Sequence, residues 1–327
     1  MTVKTIDAHT AGEPLRLIVE GFPSIEGATI LEKREYIREH HDHLRRALML
    51  EPRGHADMYG ALLTEPERET SHAGVLFMHN EGFSTMCGHG VIAVVTIALE
   101  RGLIAVPRGL AEPVVRLDSP AGQIEARARL DGDRVESVRF RNVPSFVLQA
   151  AVPVRLGSRV QLADVAFGGA FYAIVDSEAA GIPVVPERLP DLRRAGMEIK
   201  RAVESAVRVE HPTEPGLHGI YGTIFTGPAS SSAADLRNVT IFADAEVDRS
   251  PCGTGTCAVM AVLAAMGLLP PRQTFTHESI VGTTFRGRIV EELENAIVPE
   301  IEGEAYITGE NTFIIDRRDP LRFGFRL

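Results

Sequence analysis

Two cysteines sit in matching settings, Cys87 in "MCGHG" (86–90) and Cys252 in "DRSPCGTG" (248–255). A cysteine followed by Gly-x-Gly at the start of a helix meets unpaired N–H groups and the positive end of the helix dipole, and both favour thiolate over thiol. The same N–H groups can bind a carboxylate. Two such ends facing one cleft would present two thiols to one bound anion. That geometry suits deprotonation of a carbon next to a carboxylate, one sulfur taking the proton from one face and the other giving a proton to the opposite face. Donors at the helix ends would stabilise the charge that develops on the carboxylate. Asp248 precedes Cys252 by four residues and His89 follows Cys87 by two. An acidic group and an imidazole at the rim suit a cationic amine, so an α-amino or imino acid is the expected substrate class.

The elements that must position these residues are written twice. Residues 86–104, "MCGHGVIAVVTIALERGLI", align without a gap on residues 251–269, "PCGTGTCAVMAVLAAMGLL". The alignment pairs Gly88 with Gly253, Gly90 with Gly255, Ala93 with Ala258, Val94 with Val259 and Gly102 with Gly267, and Phe77 and Phe242 each lie ten residues before their cysteine. Each copy reads as strand, loop, Cys-Gly-x-Gly, apolar helix and glycine stop. Helices apolar on nearly every face are expected to be central and wrapped by sheet. Two copies suit two similar domains rather than a solenoid. Strand-like runs at 15–22, 73–80, 114–119, 135–143, 170–176, 221–227 and 238–244 surround helical patterns at 29–49 and 186–207, which predicts an α+β fold. Cys257 has no cysteine partner in the first copy, where Ile92 stands, and reads as core.

Bulk properties narrow the field. A net charge of −10 argues against a nucleic-acid or anionic-membrane surface. No apolar run reaches the roughly 18 residues of a membrane span, and the start "MTVKTIDAHTAGEP" lacks the pattern of a signal peptide. Three cysteines in 327 residues are no disulfide framework, which places the chain in the cytoplasm with reduced thiols. Lys4, Lys33 and Lys200 are the only lysines, none in a Schiff-base setting, so cofactor-free chemistry is expected. A homodimer is one assembly left open. Two rival classes stand beside the enzyme. One is a zinc site from Cys87, His89, Cys252 and Cys257, whose spacings are not those of structural zinc. The other is a non-catalytic amino-acid-binding protein, which would have no need for two reactive thiols.

These motifs resemble the proline racemase superfamily, which includes proline racemases, 4-hydroxyproline 2-epimerases and trans-3-hydroxy-L-proline dehydratases. The resemblance extends over "DAHTAGEPLR" (7–16), "EPRGHADMYGALL" (51–63), "FGGAFYAIV" (167–175), "YGTIFTG" (221–227) and "HESIVGTTFRGR" (277–288). It implies a diaminopimelate epimerase-like fold of two pseudo-symmetric α/β domains, each with a central helix. It also implies an N-terminal half of residues 1–130 with about 300–327, a C-terminal half of 131–299, and an active site in the cleft between them. Carried over by motif, Cys87 and Cys252 would be the acid/base pair. His89 and Asp248 would contact the substrate nitrogen, and N–H groups around Gly88, His89, Gly253 and Thr254 would hold the carboxylate. No metal and no organic cofactor are implied, and the partner is a small molecule, proline or hydroxyproline.

Within the superfamily, "FMHNEGFSTMCGHGVIA", "RGHADMYG" and "FADAEVDRSP" look most like the 3-hydroxyproline dehydratases, which commonly carry threonine where this chain has Cys252. The expectation is dehydration of trans-3-hydroxy-L-proline to Δ1-pyrroline-2-carboxylate together with 2-epimerase activity. The alternatives are a 4-hydroxyproline 2-epimerase or a proline racemase. Tyr59 is the specificity candidate, as a phenol able to contact a ring hydroxyl. His55 and Asp57 read equally as substrate contacts or turn residues. His9, His277 and Glu278 read as structural, and the acidic run "VEELENAIVPEIEGE" as a solvated face.

Overall fold

A computed structural model describes residues 1–107 and 109–326. The chain forms two compact units, Met1–Phe140 with Gly303–Leu327, and Arg141–Glu302. In the first, strand Thr2–Thr10 pairs antiparallel with Glu13–Glu20, which runs parallel to Tyr59–Thr64. That strand is antiparallel to Ala73–His79, which pairs with the short Phe83–Ser84 and, in parallel, with Val114–Ser119. Gly122–Asp131 and Arg134–Arg141 continue the ladder antiparallel, and Ala305–Ile314 returns to pair with Thr2–Thr10.

The second unit repeats this order strand for strand. Arg159–Phe167 pairs with Phe171–Asp176, which runs parallel to Gly222–Gly227. Next come Leu236–Phe242, the short Glu246–Asp248, and Phe275–Ser279 in parallel. Thr284–Glu292 and Ile297–Gly303 follow, and Phe146–Leu156 pairs with Arg159–Phe167 as Ala305–Ile314 does with Thr2–Thr10. Runs of mixed strands with few helices make this the α+β, diaminopimelate epimerase-like fold that the family resemblance implied, with the two similar units that the repeat implied.

Each unit places one helix at its centre. Gly88–Glu100 is buried on every face from Gly88 to Ala98, and Gly253–Ala265 from Gly253 to Val262. A helix apolar all round has no face for water, so the surrounding strands must cover it. The outer helices are amphipathic. Leu189–Ala206 buries Leu192, Ala195, Gly196, Ile199 and Val203, a single stripe at helical spacing. The 29–49 pattern forms two helices, Ile30–His40 and Asp42–Met49, divided at His41. Thr29 and Glu32 close a capping box on the first of them. No helix is long and apolar enough to cross a membrane among the described residues.

One expectation changes. The acidic run is no simple solvated face, because its second half lies in strand Ile297–Gly303, where Ile297, Val298 and Ile301 are buried. The residues ahead of that strand, Glu291 to Glu294, remain exposed.

Candidate active site

In the first unit the chain leaves strand Phe83–Ser84 and reaches Cys87 in extended geometry, φ −148° and ψ 112°. Cys87 is the N-cap of the central helix, its Sγ accepting the Gly90 N–H at 3.3 Å. Gly90 is required by packing, since a Cβ there would lie 2.6 Å from Phe77 Cε1. The His89 imidazole turns back on the sulfur, Nδ1 standing 3.1 Å from Cys87 Sγ. Thr10 Oγ1 donates to the His89 carbonyl at 2.9 Å, and the Tyr59 ring meets the imidazole edge-on with centroids 4.7 Å apart. The sulfur and the imidazole therefore form a buried pair at a helix start, an arrangement that stabilises thiolate.

In the second unit Cys252 is again the N-cap, and its Sγ accepts the Gly255 N–H at 3.4 Å. Its φ is +62° with ψ 111°, a left-handed value that is strained for any residue with a Cβ. Asp248 ends the short strand before the loop and is buried. Its Oδ1 accepts Ser250 N–H at 2.8 Å and Ser250 Oγ at 2.7 Å, and Ser250 Oγ in turn accepts Cys252 N–H at 3.1 Å. Burial raises the Asp248 carboxyl to about 6 against the pull of those hydrogen bonds. Burial, and then the nearby Asp248 charge, push the Cys252 thiol up to about 12. The fully buried Tyr172 hydroxyl lies 2.6 Å from Thr254 Oγ1 and 3.7 Å from Cys252 Sγ.

At each helix start the first-turn amides, Gly88 and His89 in one and Gly253 and Thr254 in the other, have no carbonyl of their own helix to donate to. They are the groups able to take a carboxylate. Close backbone approach explains the glycine pair of "FGGAFYAIV", because a Cβ on Gly168 would collide with the Thr254 carbonyl. The two copies differ beneath the helix. Phe77 packs under Gly90, while the equivalent place under Gly255 is taken by Ile224, and Phe242 stacks on Tyr221 instead.

The other candidates fall as follows. Tyr59 is buried with its hydroxyl held by Ser84, so in this arrangement it packs the imidazole rather than standing free at a wall. His55 is exposed and Asp57 is buried at φ +60°. His9 Nδ1 accepts Gly12 N–H at 3.2 Å within its turn. Cys257 is fully buried. Among the described residues no group of three or more His, Cys, Asp or Glu is arranged to hold a metal ion. Tyr172, Ser250, Thr256 and His277 carry the surroundings of Cys252; the motif reading gave the first three no role and took His277 as structural. Only strand register brings Tyr172 and His277 there.

Comparison with known proteins agrees with these motifs. A family model described as proline racemase matches residues 5–326. A trans-3-hydroxy-L-proline dehydratase of Bacillus cereus is 50% identical over 327 residues, covering 99% of this chain and 97% of its own. A 3-hydroxyproline 2-epimerase of Burkholderia multivorans is 45% identical over 329 residues, with 99% and 98% covered. A solved hydroxyproline epimerase from Agrobacterium vitis, with bound trans-4-OH-L-proline, superposes with a TM-score of 0.89 at 30% identity, covering 100% of this chain and 96% of that one.

Proposed function

The chain belongs to the proline racemase family and is an enzyme, and from that premise we propose that it dehydrates trans-3-hydroxy-L-proline and also inverts its C2. The observation that carries the reading is a cysteine capping each central helix, with its sulfur on its own first-turn amide. Asp248 and His89 hold the imino nitrogen, and the amides of Gly88, His89, Gly253 and Thr254 hold the carboxylate. Charge spreading onto that carboxylate as the Cα proton leaves is met by these donors. The step uses thiols and N–H groups alone, with no metal and no organic cofactor. Two reactive thiols fit a cytoplasmic location, where they stay reduced.

Stereochemistry divides the labour. In trans-3-hydroxy-L-proline the hydroxyl and the carboxylate lie on opposite ring faces, so the Cα hydrogen and the hydroxyl share one face. A thiolate on that face takes the Cα proton and, now a thiol, returns a proton to the departing oxygen. The C–O bond breaks as the ring double bond forms, water leaves, and the enamine tautomerises to Δ1-pyrroline-2-carboxylate. Elimination therefore needs one sulfur. Inversion needs a second, which protonates Cα from the other face. Cys87, paired with His89, is the base; Cys252, held protonated by burial and by Asp248, is the acid.

Incubation with trans-3-hydroxy-L-proline, trans-4-hydroxy-L-proline and L-proline in D2O, followed by NMR, tests this reading. Deuterium at C2, a C2 epimer and loss of the ring hydroxyl are expected from the 3-isomer. Cys87→Ser should lower both reactions by about 10²–10⁴. Cys252→Thr should suppress epimerisation at least about tenfold more than dehydration. Cys252→Ser is the control, because a β-branched residue fits a positive φ poorly. No exchange with any substrate would sink the reading. The second cysteine also favours a 4-hydroxyproline 2-epimerase, and inversion of the 4-isomer without dehydration of the 3-isomer would establish that instead.

A further inference from the structure

The two cysteine caps share ψ, 112° at Cys87 and 111° at Cys252, but differ in φ, −148° against +62°. Three hydrogen bonds pin the peptide planes on either side of Cys252. Its N–H goes to Ser250 Oγ at 3.1 Å, its carbonyl accepts Thr256 N–H at 2.7 Å, and the preceding Pro251 carbonyl accepts Thr256 Oγ1 at 3.0 Å. Thr256 Oγ1, having given its proton to Pro251, accepts from His277 Nδ1 at 2.9 Å. Hence His277 carries its proton on Nδ1. Burial holds that ring neutral by lowering it to about 3, and its Nε2 has no hydrogen-bond partner among the described residues.

The first unit keeps the helical bond, Val91 N–H to the Cys87 carbonyl at 2.9 Å, and shows what the fold uses in place of the hydroxyl and the imidazole. The gap-free repeat pairs Thr256 with Val91. His277 pairs in register with Leu236, the first residue of its strand, and Leu117 pairs with Ala73, the first residue of the corresponding strand. Val91 and Leu117 are fully buried. The first unit thus carries two buried apolar residues at these positions, and the second carries a buried hydroxyl and a buried imidazole. Burying polar groups is unfavourable unless their hydrogen bonds are used, and here they end on the peptide that enters Cys252.

We propose that Thr256 and His277 are positioning residues that hold Cys252 in its left-handed backbone conformation and so aim its sulfur. The activity arm of the test rests on the reading of Cys252 as the acid. Thr256→Val is expected to lower C2-epimer formation about fivefold or more through kcat at nearly constant KM, while dehydration falls less than about twofold. Thr256→Ser, which keeps the donor, is expected to retain both reactions. His277→Leu supplies the residue the first unit carries at this place and is expected to act as Thr256→Val does.

A second arm reads the thiol directly. Alkylation of Cys252 by iodoacetamide, followed peptide by peptide with Cys87 as the internal reference, should slow by about fivefold or more in Thr256→Val and in His277→Leu. If wild-type protein exchanges no Cα proton, the functional reading fails and the thiol arm still decides the clamp. An unchanged Cys252-to-Cys87 alkylation ratio in both folded variants overturns the inference, as does loss of epimerisation in Thr256→Ser equal to that in Thr256→Val.

Discussion

Asp248 binds its proton more tightly in the folded protein than in the open chain, since burial raises its carboxyl from 3.8 to about 6. Across that window the folded state holds more protons than the unfolded one, so stability falls as pH rises. The loss is complete above about pH 6 and amounts to roughly 3 kcal/mol. Asp248→Asn removes the titration and leaves an oxygen to accept from Ser250. Between pH 4 and 6 its melting temperature is expected to fall less, or rise more, than that of the wild type, as circular dichroism melts would record. A variant whose melting temperature follows the same pH slope as the wild type contradicts the assignment. At this scale the sequence exposed the groups that repeat. Cysteine is rare enough for a matched pair to stand out, and His89 and Asp248 lie within a few residues of it. Tyr172, Thr256 and His277 look ordinary in their own stretches. Their meaning depends on register between distant strands, which no local pattern encodes.

The central helices were legible as elements because they are apolar on every face, a pattern with few solutions other than burial. Their dependence on glycine is equally local. Gly90→Ala would drive a methyl against Phe77 and move the turn that presents Cys87 to the Gly90 amide. The expected cost is about 1–3 kcal/mol of stability, with a fall in kcat. Phe77→Leu in the same chain should recover most of both, as denaturant melts and D2O exchange would show; no recovery would mean that Gly90 matters for its backbone alone. What local pattern missed was how the strands pair. The strands at 122–131, 159–167 and 305–314 alternate with outer faces that are charged in the first and expose Val160, Leu162, Tyr306 and Ile314 in the other two, so they read poorly as core, yet they complete each ladder. The 29–49 helix pattern gave no sign of the division at His41, because its charges continue through the break.

At the scale of the molecule, the first unit is built from both ends of the chain. Ala305–Ile314 pairs with Thr2–Thr10, Ile315 N–H donates to the Met1 carbonyl at 2.9 Å, and the Arg16 guanidinium lies 4.3 Å from the centre of the Phe313 ring. Ile315 is itself part of the buried core that holds Val3 and Ile18. A chain ending at Glu302 lacks these partners and leaves an unpaired strand edge along Thr2–Thr10. Its first unit is expected to lose cooperative melting and to be cut rapidly by protease within residues 1–140, while residues 141–302, which keep all of the second unit's strands but for the terminal Gly303, stay protected. Equal protection of both spans would show that the returning strand is dispensable.

The same return strand sets a timetable for synthesis. Thr2–Thr10 leaves the ribosome before the second unit, and its outer partner Ala305–Ile314 only after it. At the usual pace of about 5–20 residues per second, that edge waits roughly 15–60 s for its partner, an interval in which the whole of the second unit is translated. The half that carries Cys252 has all its strands before the half that carries Cys87 can close. The order of maturation is therefore the reverse of the order of emergence.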